Sequence, residues 1–299
     1  MGPPPPYALG ANRYGKAEVR VLRVDRATPR HALADLSVTS QLTGDFEAAH
    51  VAGDNAHVVA TDTQKNTVYA LARDGIGAPE EFLLRLADHF TGSFAWVTGG
   101  RWTAEQYAWS RIAVGDTGHD HAFTRDGGEV RTAAVVRDGD ATTVLAGLKD
   151  LVVLASTGSE FVGFPRDRFT TLPEATDRIL STSVTARWRY GGAVAYDEAY
   201  AAARTAMLEA FADTHSLSLQ QTAYAMGSAV LDAVPEAVEI RFSMPNKHHF
   251  LVDLAPFGLD NPGEVFSAAD QPYGLIEASV LREGAEPAGA VWASAAGFC

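Results

Sequence analysis

Four stretches of this 299-residue chain carry more polar and reactive side chains than the surrounding pattern of strands and helices requires. They are Tyr14-Gly15-Lys16; Gly53-Asp54-Asn55 followed by Ala60-Thr61-Asp62-Thr63-Gln64-Lys65-Asn66-Thr67; the run from Phe161 to Arg178; and Met244-Pro245-Asn246-Lys247-His248-His249-Phe250. Lysine, threonine and histidine are groups that move protons, and histidine does so near neutral pH. Arginine grips planar anions with paired hydrogen bonds, and a phenylalanine ring offers a stacking face. Each residue also has an ordinary use. Thr61-Asp62 fits a helix N-cap, Asp167 with Arg168 a surface ion pair of little worth, and Arg178 a solvated helix position. Phe161 fits a core, Lys16 an edge strand. His248 shares strand parity with Phe250, Val252 and Leu254, the pattern of a hydrogen-bonded core histidine.

Other chemistries lack their signatures. There is no phosphate-binding G-x-x-x-x-G-K-[ST] loop, and no G-x-G-x-x-G follows a strand; Gly75-Ile-Gly77 runs into Ala-Pro, a poor start for a phosphate-binding helix. No G-x-S-x-G elbow and no H-E-x-x-H appears. His119-Asp120-His121 has two metal-ligand types but no third at a telling distance. The net charge of −13 speaks against nucleic acid as a general partner. It leaves room for a small anion held by one or two local cations. The single cysteine, Cys299, allows no internal disulfide and no Cys-rich metal site, and reads as an incidental thiol. No apolar run approaches the roughly 20 residues of a membrane-spanning helix. Met1-Gly2 and the four prolines after it make no secretory signal, so the expectation is a cytoplasmic protein with no membrane partner.

The elements that must position these residues are legible as periodicity. Val19, Val21, Leu22 and Val24 make a strand over Lys16–Asp25 whose phase slips between Val21 and Leu22, predicting a twist or bulge there. Leu36 to His50 reads as its hairpin partner. Helical spacing follows at Val68, Leu71 and Ala72, then after Pro79 at Phe82, Leu86 and Phe90, closed by Gly92. Strands return at Phe94–Val97, Ala122–Arg125, Val130–Val136 and Leu151–Leu154. The second half repeats this order. Val184, Ala186, Trp188 and Tyr190 alternate as a strand; Tyr200 to Phe211 and Leu219 to Val230 each show one helical apolar face; Val238 to Met244 and Ile276 to Val280 alternate again. Strands, a helix pair, then strands, twice over, predicts an α+β fold of antiparallel sheets with helices on one face, built by duplication. The expected modules are residues 8–155 and 156–285, with flexible tails at 1–7 and 286–299.

Taken jointly and in order, the four polar stretches resemble the urate oxidase (uricase) family. The likeness extends to Ser183-Val-Thr-Ala-Arg-Trp-Arg-Tyr190 and Gln271-Pro-Tyr-Gly-Leu-Ile-Glu277, and covers about Tyr14 to Glu283. It implies two tandem tunnelling-fold modules, and a homotetramer in which sheets of different subunits close into a barrel with active sites between subunits. It implies oxidation of urate by O₂ without metal or organic cofactor. Residue by residue, it makes Phe161 the plate under the purine, Arg178 and Gln220 the grip on its edges, and Leu172 an apolar wall. Leu219 and Asp62 would contact the substrate through their backbones, and Asn246 would orient peroxide or water over the ring. Lys16, Thr61 and His248 become a proton relay. A lysine beside a threonine hydroxyl lowers the hydroxyl's pKa, and a histidine carries the proton onward. Lys16, Thr61, Asp62 and His248 are assigned to one chain and Phe161, Arg178 and Gln220 to its neighbour. Two departures bear on this. The chain ends Ala-Gly-Phe-Cys, where the family's eukaryotic members carry a peroxisomal tripeptide, and the Ala/Gly/Pro-rich stretch after Glu283 has no family motif. The competing readings are a pterin-type relative with zinc and a purine-binding protein without activity.

Overall fold

Val19 and Val21 are buried while Leu22 is 55% exposed, so the first strand turns its valines inward and leaves the leucine outside. In the computed structural model, which describes residues 7–294, this strand is β1, Tyr14–Asp25. It pairs antiparallel with β2, Ala32–Gly44. There follow α1, Glu47–Ala52; α2, Thr61–Arg73; α3, Pro79–Ser93; β3, Val97–Gln106; a hairpin of β4, Trp109–Val114, and β5, Thr117–Arg125; β6, Val130–Asp138; and β7, Ala141–Ala155. The chain continues with β8, Leu180–Tyr190; α4, Tyr196–Asp213; α5, Leu219–Ala233; β9, Ala237–Leu251; and β10, Phe266–Leu281.

The chain divides into two compact units, Met1–Ala146 and Gly147–Cys299. In the first, sheet order is β1-β2-β3-β6, all neighbours antiparallel. α2 packs on β1, and α3 on β3 and β6. Phe82, Leu86 and Phe90 of α3 are fully buried in a core shared with Leu36, Val38 and Trp102. In the second unit, which takes β7 from Gly147 on, the order is β7-β8-β9-β10, and α5 packs on β9 and β10 with α4 against α5. Val184, Ala186 and Trp188 are buried on β8, Ile240, Phe242 and Met244 on β9, and Met207, Met226 and Val230 on the helices. Two strands, two long helices and two strands thus occur twice, in the same sheet order. The fold is α+β with antiparallel sheets, as the periodicity predicts.

Three expectations are corrected. The hairpin partner stops at Gly44 rather than reaching His50, which lies in α1; Gly44 passes so close to β3 that a Cβ would meet the Trp96 carbonyl at 2.1 Å. The bulge lies between Lys16 and Val19, not at Val21, and Glu18 there takes φ 55°. The strand expected from Phe94 begins only at Val97, because Phe94 and Trp96 are turn residues whose rings pack together at 5.6 Å. Within the stretch expected as a tail from 286, Glu286, Pro287 and Gly289 are exposed. Gly289–Ser294 is a 3-10 turn, Trp292 is 6% exposed, and the Arg241 guanidinium lies 4.5 Å from its ring. Pro3–Pro6 and Cys299 lie outside the described residues. No described helix is long and apolar enough to cross a membrane, which does not bear on strand-built barrels.

Candidate active site

Each unit gathers part of the polar set. In the first unit, Lys16 sits on β1 opposite Ser40 of β2, immediately before the bulge. Bulges re-aim side chains and interrupt pairing. The preceding residue must be glycine: a Cβ on Gly15 would fall 1.7 Å from the Ser40 carbonyl oxygen. Thr61 is the first residue of α2 and is half-buried. The N-cap is Ala60, with no side-chain cap, so Thr61 is not spent on capping. Asp62 turns its carboxylate along its own helix to Lys65 and, at 2.9 Å, to Asn66. The hydrogen bond and charge of Lys65 hold that carboxyl below the usual range, with a smaller contribution from Lys16. The backbone N–H groups of this first turn remain free of helical partners, the position where anions are met.

In the second unit, one short segment ties three site residues together. Phe161 exchanges backbone hydrogen bonds with Ala175, at 2.7 and 3.1 Å. The Arg178 N–H donates to the Ser159 carbonyl at 2.8 Å. Ser216, just before α5, donates to Gly158 and accepts from Glu160. Phe161, Arg178 and the start of α5 are therefore fixed by the four residues 158–161. α5 begins with a Ser218 side-chain cap accepting from the Gln221 N–H at 3.2 Å, while the Gln221 amide oxygen accepts from the Leu217 N–H at 2.7 Å. This capped turn carries Leu219, fully buried, and Gln220, exposed.

The guanidinium carbon of Arg178 stands 5.3 Å from the Phe161 ring centre. Its Nε is buried without a hydrogen-bond partner, and burial pushes its pKa down. A half-buried cation with an unmet donor is costly unless something anionic completes it. This is not the solvated arginine of a helix surface. Phe161 also stacks on Phe164, ring centres 4.9 Å apart and planes 12° from parallel. Gly163, at φ 73°, turns the chain back to allow this. Leu172 is 52% exposed on the same loop. Asp167 closes a turn with Phe169 and Thr170, while the Arg168 guanidinium packs 4.5 Å from the Phe169 ring.

Asn246 and His248 lie on β9. Asn246 is opposite Thr182 of β8 and Gly274 of β10, and the β9–β10 register breaks between Ala269 and Gly274 beside it. His248 is half-buried, its ring 5.9 Å from that of Phe250, which is 57% exposed. The same face of β9 is buried at Phe242 and Met244 but opens toward its end, so His248 is not in the core of this unit. The His119 and His121 rings meet edge to face at 4.5 Å. Among the described residues no group of three or more His, Cys, Asp and Glu is placed to hold a metal ion. Sequence reasoning passed over Ser159 as a hub, Phe164 as a stacking partner, and the buried Gln64 on α2. A glutamine in register with Val68 and Ala72 on an apolar stripe was the available signal for the last.

The chain resembles known proteins along nearly its whole length. The Uricase family model matches residues 12–136 and 144–277. The uricase of Arthrobacter globiformis is 63% identical over 97% of this chain and 95% of its own length, and that of Danio rerio is 39% identical over 90% and 93%. The crystal structure of the Arthrobacter globiformis uricase superposes with a TM-score of 0.93 over 96% of this chain and 99% of that one. A uricase from Bacillus fastidious, 26% identical, superposes with a TM-score of 0.77 over 92% and 94%. With the polar stretches in order and the fold shared end to end, the chain belongs to the uricase family.

Proposed function

We propose that the protein is a urate oxidase: urate, O₂ and water give 5-hydroxyisourate and hydrogen peroxide. The observation that carries the reading is Arg178, a half-buried cation with an unmet donor, beside Phe161 and tied to the same segment as the capped turn bearing Gln220. Urate is a flat anion with C=O and N–H alternating around both rings. A guanidinium meets a carbonyl and ring nitrogen with two donors while offsetting the charge. The Gln220 amide offers one donor and one acceptor to the other edge, and Phe161 supplies a stacking face. Leu172 lines an apolar side, and the backbones at Leu219 and Asp62 give further polar contacts.

In this reading Lys16, Thr61 and His248 move protons. Lys16 favours ionisation of the Thr61 hydroxyl, which takes the second proton from bound urate, and His248 exchanges it with solvent. The dianion is electron-rich enough to reduce O₂ directly, without metal or organic cofactor. Asn246 orients the peroxide and the attacking water. The assembly is a homotetramer with sites between subunits. Among the described residues β1 pairs only with β2 and β10 only with β9, leaving edges at which a second copy can add strands. The test is loss of urate absorbance with one O₂ consumed and one H₂O₂ formed per urate, in chelator-treated, flavin-free protein. Absence of turnover under those conditions overturns the proposal.

A further inference from the structure

Lys16 and Thr61 stand on different elements, and neither element fixes the pair alone. α2 starts at Ala60 without a side-chain cap, and uncapped helix ends fray. Other side chains hold this end. The Tyr14 hydroxyl donates to the Val59 carbonyl at 3.2 Å and accepts from the Val59 N–H at 2.7 Å. Tyr14 is two residues before Lys16, and Val59 two before Thr61. Burial pushes the Tyr14 phenol up, which keeps it protonated and able to do both. Its ring is held edge-on by Phe46, 4.8 Å away. From the other side, Gln64, fully buried, donates to the same Val59 carbonyl at 3.4 Å and accepts from the Ser40 hydroxyl at 3.0 Å. Ser40 is the residue opposite Lys16 across the β1–β2 ladder. Both paths from the Lys16 end of the sheet therefore converge on Val59. An aliphatic side chain would fill Gln64's place on the stripe at less desolvation cost, so its amide is retained for what it bonds.

We propose that Tyr14 and Gln64 are positioning residues that set the Thr61 hydroxyl against the Lys16 ammonium through Val59. This rests on the reading of Lys16 and Thr61 as parts of the proton relay. The purine grip, on the other unit, does not depend on them.

The test is steady-state kinetics on urate for Tyr14→Phe, Gln64→Leu, Thr61→Ala and the double variant Tyr14→Phe/Thr61→Ala, with xanthine as a non-oxidised probe of binding. Tyr14→Phe is expected to lower kcat about fivefold or more, the scale of one lost hydrogen bond, with KM and xanthine affinity within about twofold. In the Thr61→Ala background the same substitution should change kcat less than about twofold, because no hydroxyl remains to be placed. An equal loss in both backgrounds, or a wild-type kcat for Tyr14→Phe beside a slow Thr61→Ala, overturns the positioning role and leaves the relay standing. A wild-type kcat for Thr61→Ala overturns the relay itself. If Gln64→Leu fails to fold, the Tyr14 pair decides alone.

Discussion

Arg178 and Lys16 are both cations beside polar neighbours, yet their surroundings assign them different work. Arg178 is half-buried, lacks a partner at Nε and faces an aromatic ring, the setting of a group that binds. Lys16 lies opposite Ser40 on a strand interrupted just after it, close enough to Asp62 in the first turn of α2 to act on its charge, where the proposed proton relay would run. Substituting each should therefore move different kinetic constants. Arg178→Ala is expected to raise KM for urate and the xanthine dissociation constant about tenfold or more, the equivalent of one charge-assisted contact. Lys16→Met is expected to lower kcat about tenfold or more, within the range of acid–base contributions, with little change in xanthine binding. Equal losses in both constants for both variants would contradict this division of roles.

Glu239, 1% exposed on β9, shows how a single strand position can staple its neighbours. It lies opposite Arg189 of β8 and accepts from it at 3.2 Å, and it accepts from Arg241 on its own strand at 2.8 Å. Burial opposes its ionisation, but the hydrogen bonds from Arg241 and Arg189 prevail and hold the carboxyl below the usual glutamate range. The folded chain thus binds this proton less readily than the unfolded chain. The stabilisation is complete above the ordinary value of about 4.3 and is lost as pH falls through the lower folded value. Glu239→Gln should cost about 3 kcal/mol at neutral pH, since two arginines lose their counter-charge. Its deficit in thermal midpoint should shrink steadily on acidification below about pH 4. A deficit independent of pH would show that the carboxylate's charge is not what joins β8 to β9. Sequence could find these strands because Val238, Ile240, Phe242 and Met244 alternate. It could not see that Glu239, on the other face of the sheet, was buried and paired across strands, because Arg189 meets it only once the ladder is formed. The same limit explains α1 and β4. α1 has no buried residue and β4 has none either, so neither writes a period into the sequence. The proposed site residues stood out in the sequence because their types in that order are rare. The hub at Ser159 and the brace at Tyr14 did not, because they act through backbone groups of residues that carry no signal.

At the scale of the whole molecule, the proposed chemistry is split between two halves of the duplication. Of the proposed relay, Lys16 and Thr61 lie in the first unit and His248 in the second, with the purine grip of Phe161, Arg178 and Gln220. If each site takes its first-unit residues from one chain and its grip from a neighbour, two variants impaired in different halves must complement each other. Co-expressed Lys16→Met and Arg178→Ala chains would assemble at random into mixed oligomers. A site with both halves intact then needs its Lys16 from the Arg178 variant and its Arg178 from the Lys16 variant. Equal expression and random assembly give such sites about a quarter of the total. At urate well below KM, activity per chain should rise above the mean of the two variants toward that fraction of wild type, while the two variants purified separately and mixed without dissociation should show only that mean. Were both halves supplied by one chain, every site would carry one of the lesions and co-expression would restore nothing. The same mixed oligomers, run in sedimentation against wild type, should sediment as tetramers. A dimer with full activity would overturn the assembly while leaving the shared site intact, because one dimer interface is enough to place the grip of one copy against the relay of another.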